Sequence, residues 1–487
     1  MQTEKRLPTL GETLFVLIGF GLIMTTFILK FDISIHLALL TTWFLIILVG
    51  LKIGYNYKEM QQGLLNGVSD GLEAVLVLLS VGALIGTWIS GGVVPSIIYY
   101  GLAIIDPNIF LMAAFIICTV TSIATGTSFG SAGTAGIAMM AIGASFGFPL
   151  PLVAGAVISG CYVGDKLSPL SDTTVMTASL AKVDLIDHIK SMLTVSLPAW
   201  IIAAVLFLVT GFFYNGNGDL SAATTTMASL TEYFSISWYM LIPAVVVIGL
   251  LAFKMPSIPV ILFGAFLGTI WAYLFQGATF LQAFNVMYAG NSIESGVAFI
   301  DNLLNRGGIV FMLDVIALII FALGVGGLME KIGVLRAVGG YLAKWANNPG
   351  KTTVSTILAG ILGNLFGGAY VSIITASKIT GDNYDRQHID RRVLSRNTEA
   401  GGTITTPMVP WSDGGVFMAA ALGVSTMSYL PFLWFNLLVL LISVIYGFAN
   451  KFIWYTKSDE PEPEEIEGLE EINRTKDPRI PVGSYSK

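Results

Sequence analysis

Apolar runs of about 20 residues recur along this 487-residue chain, and about 20 residues of helix are needed to cross roughly 30 Å of hydrocarbon. The clear runs are 12–29, 34–53, 74–93, 193–213, 237–253, 257–275, 309–329 and 428–450. Segments this apolar satisfy their backbone in lipid by folding as helices. Only 11% of the residues are charged and 54% are apolar, whereas soluble domains carry about 25% charged residues. The composition excludes a soluble enzyme, a disordered protein and a nucleic-acid binder. The expected fold class is an all-α polytopic membrane protein whose partner is the lipid bilayer. The net charge of −6 reflects the tail, because residues 459–471 alone supply eight carboxylates. That tail reads as solvated and disordered. Cys118 and Cys161 lie in apolar stretches, so no disulfide framework is expected. No small-residue cleavage site follows the first run, which reads as a retained helix rather than a signal peptide.

Two further regions, 108–180 and 352–425, are apolar but broken by Gly, Ser, Thr and Pro. Broken helices are tolerated in a membrane only where they are buried or line a cavity. The two regions are also related. A displacement of 241 positions (410 minus 169) places Pro169, Ser171 and Asp172 on Pro410, Ser412 and Asp413. It also pairs Gly126 with Gly367, Ser131 with Ser372, Thr134 with Thr375, Ala135 with Ala376 and Gly160 with Gly401. The chain therefore reads as two repeats, 1–214 and 237–451, joined by an extracytoplasmic linker at 215–236 and followed by a cytoplasmic tail at 452–487. Each repeat is read as five crossings plus a re-entrant hairpin, at 108–149 and 352–390. Five is odd, so the second repeat enters the membrane inverted. With the N-terminus inside, nearly all Lys and Arg face the cytoplasm, and only Lys30 and Arg306 face outward. Inverted repeats with discontinuous helices are a common transporter architecture.

The breaks hold the candidate chemistry. The first is Gly164-Asp165-Lys166-Leu167-Ser168-Pro169-Leu170-Ser171-Asp172-Thr173-Thr174. Pro169 removes an amide donor and disfavours helix at Ser168, and Gly164 permits an unusual backbone angle. The helix is expected to unwind near 164–170, and its freed carbonyls and the hydroxyls of Ser168, Ser171 and Thr173 would offer hard oxygens to a small alkali cation. Asp165 and Asp172 add negative charge, and a carboxylate at membrane depth is a functional candidate by default. Asp172 is the first choice as exchanger. The second break carries Asp413, the repeat mate of Asp172, beside Ser412. Glu399 has no carboxylate mate, and reads equally as a proton carrier or as a partner of Arg396 three residues earlier. Lys166 would stand in for a cation in the empty state. The hairpin tips offer Thr127, Ser128, Asn364 and Ser372, as ligands or as small residues for close packing. His188 is expected in a cytoplasmic loop, and no His shows metal-ligand spacing.

At these constellations the chain resembles the NhaC family of Na+/H+ antiporters. The resemblance rests on residues 164–174, on Thr-Gly-Thr-Ser-Phe-Gly at 125–130, and on Pro-Trp-Ser-Asp-Gly-Gly at 410–415, and it spans about 10–450. It implies paired hairpins, elevator-type movement, exchange of Na+ for H+ in a bacterial inner membrane and no cofactor beyond the transported ion, and it is compatible with a homodimer. Some relatives exchange malate for lactate with Na+ and H+, so an organic-acid antiporter is the alternative. An intramembrane aspartyl protease would need a Tyr-Asp pair and a Gly-x-Gly-Asp run at its membrane aspartates, whereas here Asp314 follows Leu313 and Asp165 follows Tyr162-Val163-Gly164. Paired carboxylates at broken helices also favour occlusion over an open channel.

Overall fold

The computed structural model describes residues 6–31, 33–214, 220–253, 255–294, 301 and 304–456. The acidic tail lies outside the described residues. Among these residues the chain is helical almost throughout, and its β structure is one isolated bridge between Ile389 and Tyr455. Seven helices are long and apolar enough to cross a membrane, or ten if each sharply bent pair forms one span. The protein is an all-α polytopic membrane protein. Large apolar side chains point outward, including Phe44 at 64%, Phe213 at 82% and Phe253 at 84% exposure. Polar side chains such as Thr119, Ser122, Thr174, Asn364 and Glu399 are buried. A chain solvated by lipid outside and polar within has this distribution.

Element boundaries recur at the displacement seen in the sequence. Helix Val93–Ile104 corresponds to Val334–Trp345, and each starts after a glycine in the left-handed region, Gly92 at φ 74° and Gly333 at φ 82°. Helix Asp172–Ala181 corresponds to Asp413–Leu422. The mate of Leu150–Leu167 is split into an α-helix, Arg391–Gly401, and a 3-10 helix, Thr403–Met408.

The two hairpins fold as expected. In the first, helix Phe110–Thr125 stops at Gly126, φ 71°, and the chain re-enters helix at Ser128. In the second, the helical stretch Pro349–Arg386 is broken at Gly368, one residue beyond the mate of Gly126. Its two arms fold back together, since Thr356 bonds both Thr380 and Tyr384, at 3.0 and 2.9 Å.

One expectation about the first break is corrected. The helix does not unwind at Gly164; it runs to Leu167, and the Ser168 amide still donates to the Gly164 carbonyl at 2.8 Å. Gly164 serves close packing instead. A Cβ there would collide with the backbone of Ser122 and Ile123 on the first hairpin. The break itself, Ser168–Ser171, is set by Pro169.

The first and last described segments and the basic loops gather at one end. Leu7 packs beside Gly333, Glu12 pairs with Lys52 at 3.4 Å, and Asn383 donates to the Ala343 carbonyl at 3.0 Å. At the same end the Asp390 amide donates to the Trp454 carbonyl at 2.9 Å. Beneath these loops His188 is fully buried and bonds Ser395 at 2.8 Å, so it is not a loop residue.

Candidate functional site

Both helix breaks and both hairpin tips meet around one cavity. Thr127, Ser128 and Phe129 reach it from the first tip, and Ala369 and Tyr370 from the second. Asp165, Asp172 and Thr173 come from the first break, and Thr403, Thr406 and Asp413 from the second. The cavity offers about 90 Å³ of space, and no Lys, Arg or His side chain lines it among the described residues. A wider vestibule adjoins it, bordered by Thr127, Asp172 and the Met255–Pro259 segment.

Asp165 is the most enclosed of the three aspartates. Oδ2 accepts from the Ser128 hydroxyl at 2.6 Å and Oδ1 from the Ser171 hydroxyl at 2.8 Å, with Thr173 Oγ1 at 3.4 Å. Lys166 does not pair with Asp165, because consecutive helical side chains leave in different directions. Lys166 is fully buried and its Nζ has no hydrogen-bond partner. The carbonyls at the break are already satisfied, since Thr174 Oγ1 donates to the Asp165 and Lys166 carbonyls at 2.9 and 3.2 Å. Side-chain oxygens, not freed carbonyls, are therefore what this break presents to the cavity.

Asp172 opens helix Asp172–Ala181 and is exposed at the cavity mouth. Its carboxylate accepts from the Tyr370 hydroxyl. Asp413 opens the matching helix and accepts from the Ala369 amide at 3.3 Å and from the Gly414 amide at 2.7 Å. Adjacent residues of the second tip thus hold the two matched aspartates. Sequence reasoning missed Tyr370, Thr403, Thr406 and the cavity-lining Tyr162. The displacement of 241 did flag Thr406, as the mate of Asp165, but only as a divergence.

Several candidates lie behind the cavity wall. Ser168 Oγ donates to the Ile123 carbonyl at 3.0 Å, and Ser372 Oγ to the Gly360 carbonyl at 2.5 Å. Ser412 caps its helix, accepting from the Gly415 amide at 3.0 Å. Asn364 donates to the Gly402 carbonyl at 2.6 Å and to Thr405 at 2.8 Å, and accepts from Thr406 at 3.2 Å. Glu399 is fully buried and accepts from Thr177 at 2.8 Å. Arg396 turns away from it, donating to Thr194 and to the Phe452 carbonyl and lying over the Trp454 ring. Among the described residues no three carboxylate, His or Cys side chains converge as a ready-made metal site.

Phe129, which lines the cavity, is backed by a second aromatic ring. Phe129 and Phe417 stack with centroids 4.2 Å apart and planes 14° from parallel. One turn beyond Phe417, Ala420, Ala421 and Leu422 line a second, largely apolar cavity with Arg306 at its wall.

The model of the Na+/H+ antiporter family matches residues 2–195 and 160–451. A Bacillus subtilis protein named malate-2H(+)/Na(+)-lactate antiporter is 54% identical over 465 residues, which is 95% of this chain and 99% of that protein. The Na(+)/H(+) antiporter NhaC of Alkalihalophilus pseudofirmus is 34% identical, over 92% of this chain and 97% of its own length. An arginine/ornithine antiporter of Halobacterium salinarum is also 34% identical, over 95% of this chain and 96% of its own. With matches along almost its whole length, the chain belongs to the NhaC family of Na+/H+ antiporters.

Proposed function

We propose that this protein is a secondary active transporter that exchanges Na+ for H+ across a bacterial plasma membrane, by elevator-type alternating access. The observation that carries the reading is one cavity where Asp165, Asp172 and Asp413 meet with hydroxyl donors and no basic side chain. Hard oxygens suit a small alkali ion. A proton competes with Na+ for the same carboxylate oxygens. In this reading Na+ is held at Asp165 with Asp172 and Asp413 beside it, the two repeats are inverted, both termini are cytoplasmic and the protein works as a homodimer.

Reconstitution into liposomes tests the reading. An outward-acid pH gradient should drive Na+ out of vesicles in the orientation that places the tail inside. Absence of Na+-dependent proton flux in the wild-type protein would reject it.

A second reading is supported by the 54% identical relative. In this reading a small organic acid travels with the ions. The cavity walls carry carboxylates rather than Arg or Lys, so a dicarboxylate would have to enter protonated or with cations. Malate- or lactate-stimulated Na+ flux would favour this reading, and identical flux with and without them would favour pure cation exchange.

A further inference from the structure

The displacement of 241 positions, applied to the cavity wall itself, pairs unlike residues. Asp165 falls on Thr406, Thr173 on Gly414 and Tyr162 on Thr403. Ser128 falls on Ala369, or on Tyr370 if the count starts from the tip glycines, Gly126 and Gly368. Among these groups only Asp172 with Asp413, and Ser171 with Ser412, agree in kind. The two halves of the cavity thus share matched element boundaries and differ in the side chains those elements carry.

The first half is a carboxylate ringed by hydroxyls. Ser128 and Ser171 donate to the two oxygens of Asp165 at 2.6 and 2.8 Å, and Thr173 Oγ1 lies at 3.4 Å. A hydroxyl carries lone pairs as well as a proton, so rotation turns each of these donors into a ligand when a cation arrives. The second half lacks each of these parts. Thr406 stands in place of the carboxylate, and its hydroxyl is bonded to Asn364 at 3.2 Å and to the Gly402 carbonyl at 3.1 Å. Ser412 uses its hydroxyl on backbone, donating to the Thr406 carbonyl at 2.5 Å and accepting from the Gly415 amide at 3.0 Å. Ala369 has no hydroxyl, and Tyr370 gives its own to Asp172. Where Thr173 stands in the first half, Gly414 leaves a gap that Tyr162 fills, since a Cβ on Gly414 would meet the Tyr162 hydroxyl oxygen at 2.6 Å.

Asp413 itself is answered by backbone. The Ala369 amide donates to it at 3.3 Å and the Gly414 amide at 2.7 Å. It also lies in the first turn of helix Asp413–Leu422, where the helix dipole favours an anion. An amide N–H is a donor with no lone pair to offer. A cation brought to Asp413 would therefore face fixed hydrogens that cannot turn away.

We propose that the cavity binds one Na+ per protomer, on Asp165 with the hydroxyls of Ser128, Ser171 and Thr173, and that the matching half around Asp413 binds none. Asp413 is a positioning residue. Its two amide bonds tie the second hairpin tip to the helix that follows the second break, and the tip in turn holds Tyr370 against Asp172. This assignment rests on the antiport reading and fixes the ion count within it.

Equilibrium binding of radioactive Na+ to purified full-length protein counts the ions directly. Wild type should bind one Na+ per protomer. Asp165→Thr, which copies the counterpart in the second half, should bind none. Asp413→Asn should lower the maximal exchange rate, because the tip is held less firmly, without changing the count of one. Two Na+ per wild-type protomer, one Na+ retained in Asp165→Thr, or none in a folded Asp413→Asn would each overturn the proposal. Ser128→Ala keeps every carboxylate and serves if Asp165→Thr does not fold. Loss of its charge-assisted contact should weaken Na+ binding by about tenfold, and an unchanged affinity would overturn the assignment. Wild-type protein that exchanges Na+ for H+ but binds two Na+ sinks this inference alone. Wild-type protein with no Na+-coupled proton flux sinks the antiport reading as well.

Discussion

Asp165 differs from its two companions in how completely its charge is answered by hydroxyls. Ser128 and Ser171 each donate to one of its oxygens, at 2.6 and 2.8 Å. Hydroxyls can rotate, so they can turn lone pairs towards an arriving cation and hydrogens towards an empty carboxylate. Asp165→Asn should therefore lower Na+-driven proton flux by about 100-fold or more, equivalent to ~2.7 kcal/mol, measured by radioactive Na+ uptake. Near wild-type uptake would exclude Asp165 as an ion carrier. Tyr370→Phe removes the hydroxyl that donates to Asp172. Hydrogen bonds to charged groups contribute about 1.5–3 kcal/mol, so the apparent Na+ affinity should change by roughly tenfold with the fold intact, and an unchanged affinity would make that bond incidental. The sequence exposes Asp165, Ser171 and Asp413 because Pro-x-Ser-Asp is repeated and a carboxylate inside an apolar region is conspicuous. It hides Tyr370, since a tyrosine in a helical run reads as packing until the fold places it on Asp172. The pairing of Glu399 with Arg396 fails for a related reason. Spacing along one helix gives neighbourhood, but the C-terminal segment draws Arg396 off towards Phe452 and Trp454.

At the scale of elements, the second hairpin tip decides the shape of the site. Gly368 has φ 79° and ψ −169°, a region occupied essentially only by glycine and costing other residues about 1–3 kcal/mol. A Cβ there would also meet the Asp413 carboxylate carbon at 2.6 Å. Gly368→Ala should lower thermal stability and abolish exchange together. Gly367→Ala, whose Cβ meets only the Val371 side chain at 2.7 Å, should be milder in both, and equal effects at the two positions would show that the tip geometry is not what matters. Periodicity makes the long apolar helices legible within a few residues. It leaves Tyr57–Asp70, Leu220–Tyr233 and Phe280–Ala289 unread, because amphipathic helices of 14, 14 and 10 residues lack an apolar span. The broken helices are legible through Pro169 and Pro410, but the helix end at Leu167 rather than Gly164 depends on how tightly two helices pack, which no local pattern states.

For the whole molecule, contacts at one end join the first and last described segments to the basic loops, and the proposed topology, argued from the charge bias of those loops, puts that end in the cytoplasm. The native cysteines, Cys118 and Cys161, are buried, so an introduced cysteine can be labelled against a quiet background. Gln387→Cys should react with an impermeant thiol reagent in inverted vesicles and not in intact cells, and Asp314→Cys, with its side chain 88% exposed at the opposite end, should do the reverse. Labelling of both from the same side would overturn the topology. The duplicated boundaries were legible in the sequence as a displacement. The meeting of four separate segments on one cavity was not, because it depends on contacts between distant positions, such as Asp172 and Tyr370, 198 residues apart.

The stacked pair of Phe129 and Phe417 carries a consequence for the cell rather than for the exchange cycle. Phe129 lines the cavity and stacks on Phe417 at 4.2 Å, and the helix of Phe417 continues to a second cavity with Arg306 at its wall. A continuous file of water through that point would short-circuit the proton-motive force, however well the carboxylates worked. Phe129→Ala combined with Phe417→Ala should thus be poisonous in proportion to its expression, with voltage-sensitive dyes showing depolarised cells even when Asp165 is also replaced. Cells that stay polarised under those conditions would place the seal elsewhere.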